Sequence, residues 1–342
     1  MTTRFTGMVD NIVVVGGGLT GLILIRALNM LGVEPVLIEP DFVLGGLARG
    51  EIVNGFSVDA FPMFLDTYDI DMLRELGLEA SYHRVEYKPV TLKPGPLKEK
   101  MWARPRNVRI EELDNPWPLR WVDRHYYPVD GWSRTLWAWE KKLKYKPVHE
   151  SFKKAVGGIA LTYHGQRIEY NRLYYTLDIV SAHEKLGVEP PLSKPLYCHM
   201  AAISLVVEGS PPEWILGFHG GTAILPHTIV VTSKLLRGFI QDHYSVSSIL
   251  SYGEEGLRPG FLEQTISRLK KMKIVNGTIR MERVHITKYA CIKSGELDEY
   301  YNSIASIVNE KNIVLVGRKA RWREMSLGEL VSHIQDIVAS TL

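Results

Sequence analysis

The residues with the clearest chemical meaning form a glycine-rich turn near the start of the chain. The turn has the spacing Gly-x-Gly-x-x-Gly, with Gly16, Gly18 and Gly21 at its glycine positions. Gly16 permits a tight turn out of a strand, Gly18 lets the backbone approach a pyrophosphate, and Gly21 allows a helix to pack closely on the strand. The backbone N–H groups at the start of that helix, near Leu19 and Thr20, favour a negative charge. The turn therefore predicts a nucleotide-binding site, with a flexible glycine loop as the alternative.

An acidic residue follows at the distance that a dinucleotide site requires. Glu39 stands 18 residues after Gly21 and is followed by Pro40. A carboxylate at this point accepts hydrogen bonds from the hydroxyls of a ribose. Its negative charge also repels a 2′-phosphate, which disfavours NADP at this site.

The segments around these residues have the order that positions such a turn. Residues 11–15 and 35–38 are short apolar runs typical of buried parallel strands, and residues 22–31 read as a helix between them. Strand, glycine turn, helix, strand and acid together form the context of a dinucleotide fingerprint.

A second glycine motif begins six residues after Glu39 and is not needed for a nicotinamide cofactor. It consists of Gly45, Gly46, Leu47, Ala48 and Arg49. This segment resembles the FAD-binding amine-oxidase superfamily, which includes monoamine oxidases, protoporphyrinogen oxidase, phytoene desaturases and UDP-galactopyranose mutase. The resemblance implies that the cofactor is FAD, bound non-covalently, and that this segment lines its diphosphate and ribityl chain. The alternative is a turn with a surface arginine.

The C-terminal end carries a related pattern. Residues 312–316 predict a strand that runs into Gly317 and Arg318, and residues 326–338 predict a helix that begins with a capping box of Ser326 and Glu329. The resemblance implies that this unit returns to the N-terminal domain, with Gly317 and Arg318 near the flavin. It also implies that the main chain at Met325, Ser326 and Leu327 lies near the pyrimidine edge of the ring.

The middle of the chain should bind the substrate. Residues 98–146 contain twelve Lys or Arg against seven Asp or Glu, together with six of the eight tryptophans. Basic residues mixed with aromatic residues could bind an anionic, partly flat substrate or single-stranded nucleic acid. The third interpretation is a buried core of tryptophans with a solvated basic face. Tyr127 belongs to a Tyr-Pro-x-x-Gly segment that resembles one beside the substrate cavity of several of these flavoproteins, so Tyr127 and Arg318 are the candidate catalytic residues beside the flavin itself.

Two departures from the mutases argue against UDP-galactopyranose as the substrate. Residues 61–67 lack the histidine of the mutase signature, and Glu324 stands where the mutases have a tyrosine that binds the substrate diphosphate. His199, His219 and His227 fit satisfied polar positions better than catalytic ones. No spacing of His, Cys, Asp or Glu predicts a metal site.

Composition excludes several classes of protein. The chain has 342 residues, of which 45% are hydrophobic and 23% charged, with a net charge of +3. This balance excludes a disordered chain and is too mild to indicate a nucleic-acid partner by itself. Cys198 and Cys291 are predicted to be ordinary buried thiols in a reducing cytoplasm. Residues 12–25 are apolar but interrupted by glycines, so no membrane span is expected.

We therefore expect an α/β fold with a doubly wound Rossmann-type FAD-binding domain assembled from both termini and an inserted, smaller α+β substrate domain. The expected FAD-binding parts are residues 1–85, 151–185 and 273–342, with a cap segment at 86–150 and the substrate domain at 186–272. The expected activity is FAD-dependent oxidation of a planar or anionic small molecule by hydride transfer to flavin N5. The alternatives are a mutase-like isomerase acting on a nucleotide sugar and a non-catalytic FAD-stabilised scaffold that binds a protein or nucleic acid. NAD(P)H or a redox protein are the candidate electron partners, and the oligomeric state stays open.

Overall fold

The computed structural model describes residues 11–103, 109–192, 195–221, 226–236 and 242–341. The strands are β1 (Ile12–Val15), β2 (Val36–Ile38), β3 (Glu51–Val53), β4 (Phe56–Val58), β5 (Tyr82–Arg84), β6 (Val90–Lys93), β7 (Tyr126–Pro128), β8 (Lys146–Val148), β9 (Phe152–Val156), β10 (Ile159–Thr162), β11 (Arg167–Glu169), β12 (Arg172–Tyr175), β13 (Tyr197–Glu208), β14 (Leu216–His219), β15 (Thr228–Val230), β16 (His243–Tyr252), β17 (Ile279–Ile292) and β18 (Ile313–Leu315). The helices are α1 (Leu19–Met30), α2 (Thr67–Glu75), α3 (Leu97–Met101), α4 (Trp117–Arg120), α5 (Gly131–Glu140), α6 (Ala182–Leu186), α7 (Phe261–Lys271), α8 (Asp298–Glu310), α9 (Arg318–Arg321) and α10 (Leu327–Thr341).

The chain divides into two compact units that each draw on separate stretches of sequence. Unit 1 contains Met1–Gly45, Glu140–Lys194 and Gly295–Leu342, and unit 2 contains Gly46–Trp139 and Pro195–Ser294. Residues 46–85 and 273–294, which the sequence assigns to the FAD-binding domain, lie in unit 2. The second of these stretches joins unit 2 because β17 pairs with β13 along most of its length.

Unit 1 is built on a parallel five-stranded sheet with the order β18-β12-β1-β2-β8. Its central strand, β1, is buried along its whole length, as expected of a β-branched run covered on both faces. The N-terminal β1 and the C-terminal β18 both flank β12, so the two ends of the chain build one sheet. This arrangement confirms the predicted doubly wound domain assembled from both termini.

Helices α1 and α10 pack together in unit 1. The buried face of α10 includes Val331, Ile334 and Val338, which recur at the predicted helical spacing. The predicted capping box is present: the Ser326 hydroxyl accepts a hydrogen bond from the Glu329 N–H at 3.1 Å, and the Glu329 carboxylate accepts one from the Ser326 N–H at 2.6 Å.

Unit 2 is built on a six-stranded sheet with the order β17-β13-β16-β15-β14-β6. Its pairs are antiparallel except for β14 with β6. One face of the sheet forms an apolar core with α7, in which Ile203, Leu205 and Val246 pack with Leu269.

The tryptophans of residues 98–146 are mostly part of the core of unit 2. The buried ones are Trp102, Trp121, Trp132 and Trp139, whereas Trp137 is half exposed. Residues 104–108, which carry two of the basic side chains in this segment, and the side chain of Trp117 lie outside the described residues. For the tryptophans, the interpretation as a buried core is therefore the one that the structure favours.

Among the helices in the described ranges, none has both the length and the apolar composition needed to cross a lipid bilayer.

Candidate functional site

Two of the three motif glycines are required by close packing within unit 1. Gly16 has φ +100°, and a Cβ placed on it would lie 2.5 Å from the Thr176 hydroxyl oxygen. A Cβ on Gly21 would lie 2.0 Å from the carbonyl oxygen of Gly16. These positions confirm the predicted roles of a tight turn at Gly16 and close helix packing at Gly21.

Gly18 is different because nothing in the fold requires a glycine there. Its φ is −64°, which any residue can adopt, and a Cβ on it would meet no atom of the described residues within 4 Å. Gly18 is the N-cap of α1, so the N-cap residue has no side chain that could cap the helix, and the first turn carries no acidic residue. Open space therefore borders an uncapped helix N-terminus, the environment that suits a phosphate group approaching the backbone.

Glu39 is directly joined to the glycine turn. One of its carboxylate oxygens accepts a hydrogen bond from the Gly17 N–H at 2.6 Å, and the other accepts one from the Asp41 N–H at 3.0 Å. The side chain thus fixes the turn relative to the end of β2, a positioning role that the sequence analysis did not anticipate. Each carboxylate oxygen can accept more than one hydrogen bond, so ribose hydroxyls remain compatible ligands.

An aromatic pair lies at the same edge of the sheet and was missed by the sequence analysis. The backbone N–H of Glu39 donates to the carbonyl of Val148 at 3.1 Å, so the residues that follow β2 and β8 are neighbours. Just beyond, the rings of Phe42 and His149 lie 4.4 Å apart, with Phe42 77% exposed. The two residues are 107 positions apart in sequence, and only the parallel pairing of β2 with β8 brings them together.

The second glycine motif starts beside the first. The Gly45 N–H donates to the Gly17 carbonyl at 2.8 Å, and Gly45 also forms an isolated bridge with Gly18. Gly45 has φ +114° and Gly46 has φ +54°, conformations that favour glycine. Gly45 belongs to unit 1, whereas the short 3-10 helix Gly46–Ala48 and the following Arg49 belong to unit 2.

The C-terminal motif meets the N-terminal one within unit 1. Gly317 has φ +92°, and a Cβ on it would lie 2.6 Å from the side chain of Thr20 in the first turn of α1. The guanidinium of Arg318 forms an ion pair with Glu324 at 2.7 Å. The residues that the resemblance assigns to the ring edge, Met325, Ser326 and Leu327, lie at the start of α10. The structure thus brings the two predicted motifs together.

A lysine next to Arg318 is a further titratable group that the sequence analysis missed. Burial and the nearby positive charge of Arg318 lower the pKa of Lys319 to about 7, although Asp178 acts in the opposite direction. Its position in the Gly-Arg segment was the only sequence signal that could have pointed to it.

Tyr127 lies in a buried hydrogen-bond network in unit 2. Its hydroxyl donates to the Asp59 carboxylate at 2.5 Å, and that carboxylate also accepts hydrogen bonds from the Ser57 hydroxyl and the Trp132 N–H. Burial, reinforced by the charge of Asp59, raises the pKa of Tyr127 well above its usual value. The ring is fully buried and packs 5.5 Å from that of Phe64. This environment fits a structural role for Tyr127 better than contact with a substrate.

Two of the singled-out histidines have buried polar partners in unit 2. The Lys100 ammonium donates to the ring of His219 at 3.1 Å and to its carbonyl at 2.8 Å. Burial and the charge of Lys100 lower the pKa of His219 to about 4. His227 contacts the hydroxyls of Thr228 and Ser251, and burial lowers its pKa well below the usual value. Both rings are therefore held in the neutral form near pH 7.

Comparison with known proteins agrees with this geometry. Residues 14–76 match the family model described as an NAD(P)-binding Rossmann-like domain. A search of curated proteins found no match.

Solved structures resemble the whole chain. The crystal structure of reduced UDP-galactopyranose mutase has a TM-score of 0.76 at 13% identity, covering 96% of both chains. A protein assigned as a protoporphyrinogen oxidase from Exiguobacterium sp. 255-15 has a TM-score of 0.73 at 13% identity, covering 98% of this chain and 99% of the other. Putrescine oxidase bound to putrescine has a TM-score of 0.62 at 12% identity, covering 96% and 98%. The chain therefore shares its fold with these three proteins, which confirms the predicted resemblance at the level of the fold.

Proposed function

We propose that this chain is a flavoprotein that binds FAD non-covalently along the surface where its two termini meet. The observation that carries the proposal is Gly18, which borders open space at the N-terminus of α1 although packing against the described residues does not require a glycine there. The packing of Gly317 on Thr20 supports it, because it places the C-terminal motif beside the same helix end.

Different groups of residues would bind different parts of the cofactor. Gly18, Leu19 and Thr20 would hold the pyrophosphate through backbone N–H groups, as helix N-termini do. Glu39, followed by Pro40, would accept hydrogen bonds from the adenosine ribose, and the exposed ring of Phe42 beside His149 offers a flat surface for the adenine. Further along the cofactor, the proposed contacts are Gly45, Gly46, Leu47, Ala48, Arg49, Gly317, Arg318, Met325, Ser326 and Leu327.

The proposed activity is that of an FAD-dependent oxidoreductase acting on a small molecule. Bound FAD would supply the redox chemistry by accepting a hydride from the substrate at N5. The chain's own residues would orient the substrate, exclude water and neutralise charge. Arg318 is proposed to be the positively charged residue nearest the flavin ring. Its ion pair with Glu324 offsets part of that charge and so weakens its attraction for an anionic substrate.

A second candidate is a mutase-like flavin-dependent isomerase. The similarity to reduced UDP-galactopyranose mutase favours it at the level of the fold. The pairing of Glu324 with Arg318 counts against a nucleotide-sugar diphosphate at that point, because a carboxylate occupies the guanidinium that would otherwise bind a phosphate.

The test is an absorption spectrum of the purified protein, followed by mass identification of the small molecule released on denaturation. We expect the absorption bands of an oxidised flavin and release of intact FAD, which would also show that the cofactor is bound non-covalently. A colourless protein that does not take up added FAD would refute the proposal.

Anaerobic reactions then separate the candidate activities. Bleaching of the flavin by an oxidisable compound identifies an oxidoreductase, whereas turnover only after prior reduction identifies an isomerase. Flavin binding without turnover, together with salt-sensitive binding to nucleic acid, would identify a scaffold instead.

A further inference from the structure

The two cysteines lie side by side on neighbouring strands of unit 2, although 92 residues separate them in sequence. Cys198 on β13 and Cys291 on β17 are direct Cα partners in the antiparallel register. Both are present as thiols. The sequence predicted ordinary buried thiols, and nothing in their spacing indicated that they meet.

The two side chains also point the same way. The thiol of Cys198 donates to the carbonyl oxygen of Met101 at 3.3 Å, and the thiol of Cys291 donates to the same oxygen at 3.5 Å. Because the two sulfurs share one acceptor, they lie on the same face of the sheet.

The backbone at this point is compatible with a bond between the sulfurs. Directly opposed residues on antiparallel strands have Cα atoms about 4.5–5.5 Å apart, which lies within the range of about 4.4–6.8 Å found in disulfides. The register shifts immediately beyond the pair, between Cys198 and Met200, and Tyr289 in the opposite strand has φ +53°. A bulge of this kind interrupts the regular ladder, so the strands can adjust locally with little loss of pairing.

We propose that Cys198 and Cys291 form a redox-modification site, in which a peroxide converts the two thiols into a disulfide. One sulfur attacks the peroxide, which releases one water and leaves a sulfenic acid. The second sulfur then displaces the hydroxyl of the sulfenic acid as a second water. In total, the two thiols lose two protons and two electrons, and one hydrogen peroxide is reduced to two waters.

The proposed function provides a source of the oxidant, since a flavin oxidase that is reoxidised by oxygen releases hydrogen peroxide. Only this biological source of peroxide rests on the proposed function. The chemical competence of the pair rests on the geometry alone.

The bond would also affect a neighbouring polar cluster. The carbonyl of Met101 would lose both thiol donors, and Met101 ends the helix α3 that also carries Lys100. The Lys100 ammonium contacts His219, and the sulfur of Cys198 lies 3.9 Å from the hydroxyl of Ser251, a partner of His227. The disulfide would therefore form next to the hydrogen-bond partners of two buried histidines.

The experiment treats the native full-length protein with hydrogen peroxide, blocks the remaining thiols with iodoacetamide in denaturant, and maps the peptides without reduction. We expect the two thiols to disappear together, with an intact-mass loss of about 2 Da and one linked peptide pair containing Cys198 and Cys291. The thiols should return after treatment with dithiothreitol. Loss of thiols as independent additions of about 32 Da, without a linked pair, would overturn the proposal.

Single serine variants serve as matched controls, because a hydroxyl can still donate to the Met101 carbonyl. In Cys198→Ser and Cys291→Ser, peroxide should leave a sulfenic acid that dimedone traps, with no 2 Da loss within one chain. A linked pair that forms only in denaturant, or only between two chains, would also contradict the proposal. Since peroxide is added directly, a protein that lacks flavin can still pass this test, and a flavoprotein can fail it.

Discussion

Substitution of Gly18 by alanine should separate cofactor binding from folding. The backbone at Gly18 has φ −64°, and the added methyl group would meet no atom within 4 Å in the part of the chain that the structure describes. Replacing the N-cap glycine by alanine lowers the free energy of unfolding by up to about 1 kcal/mol. Alanine also reduces the conformational entropy of the unfolded chain, which raises the free energy of unfolding by about 0.4–1 kcal/mol. We therefore expect the free energy of unfolding of the cofactor-free protein to stay within about 0.5 kcal/mol of wild type.

The same methyl group should weaken FAD binding. It would occupy the open space through which the pyrophosphate is proposed to reach the N–H groups of α1. An increase of at least tenfold in the Kd, equivalent to about 1.4 kcal/mol, is the expected result. Quenching of flavin fluorescence on titration with apoprotein measures the affinity, and urea denaturation of the same preparation measures stability.

Gly21→Ala is the matched control, because there the added methyl group meets protein. It would lie 2.0 Å from the Gly16 carbonyl oxygen, more than an ångström inside the usual carbon-to-oxygen contact of about 3.3–3.6 Å. The expected result is destabilisation of the cofactor-free protein by about 1–3 kcal/mol or more. Unchanged FAD affinity in Gly18→Ala would refute the proposed pyrophosphate position, and a large loss of stability in that variant would refute the inferred open space.

Three further substitutions test other parts of the structure. Glu39→Ala removes the acceptor of the Gly17 and Asp41 N–H groups, so urea denaturation should show that the free energy of unfolding falls by about 1–3 kcal/mol. The affinity for FAD should fall as well. Unchanged affinity would contradict the proposed position of the ribose. Tyr127→Phe removes a hydrogen bond to the buried Asp59 carboxylate. The free energy of unfolding should fall by about 1.5–3 kcal/mol, and the flavin spectrum should not change. Lost turnover at unchanged stability would instead assign Tyr127 a catalytic role. Lys319 has a pKa of about 7 in the folded chain, whereas the ordinary value for a lysine is 10.5. Between these two pH values the unfolded chain binds more protons than the folded chain. Lys319 therefore makes the free energy of unfolding rise with pH over this range. Lys319→Met should remove that rise, which parallel urea titrations of both proteins at pH 7 to 10 would detect. Identical pH slopes would show that folding does not lower the pKa of Lys319.

The fingerprint region could be predicted from the sequence because its determinants are local. A β-branched run, a glycine turn, a helix and an acid specify their own backbone conformations within forty residues, and the structure confirms β1, α1 and β2. Likewise, Ser326 and Glu329 are three residues apart, so a capping box can be recognised from the sequence alone.

The interactions that complete the candidate site could not be predicted in the same way, because they join distant parts of the chain. Glu39 looked like a ribose ligand, but its contact with the Gly17 N–H depends on how β2 lies beside β1. The tryptophans of residues 98–146 gave no sign of whether they face a substrate or the core, since composition carries no information about which side of an element is covered.

The sequence by itself determined the dinucleotide turn, the helices and strands next to it, and the resemblance to a flavoprotein superfamily. Only the tertiary structure decided that Gly317 packs on Thr20, that the ring of Phe42 lies beside that of His149, and that Cys198 opposes Cys291. The physical reason is that backbone propensity, capping and turn geometry act over a few residues, whereas strand order and register bring together residues a hundred or more positions apart.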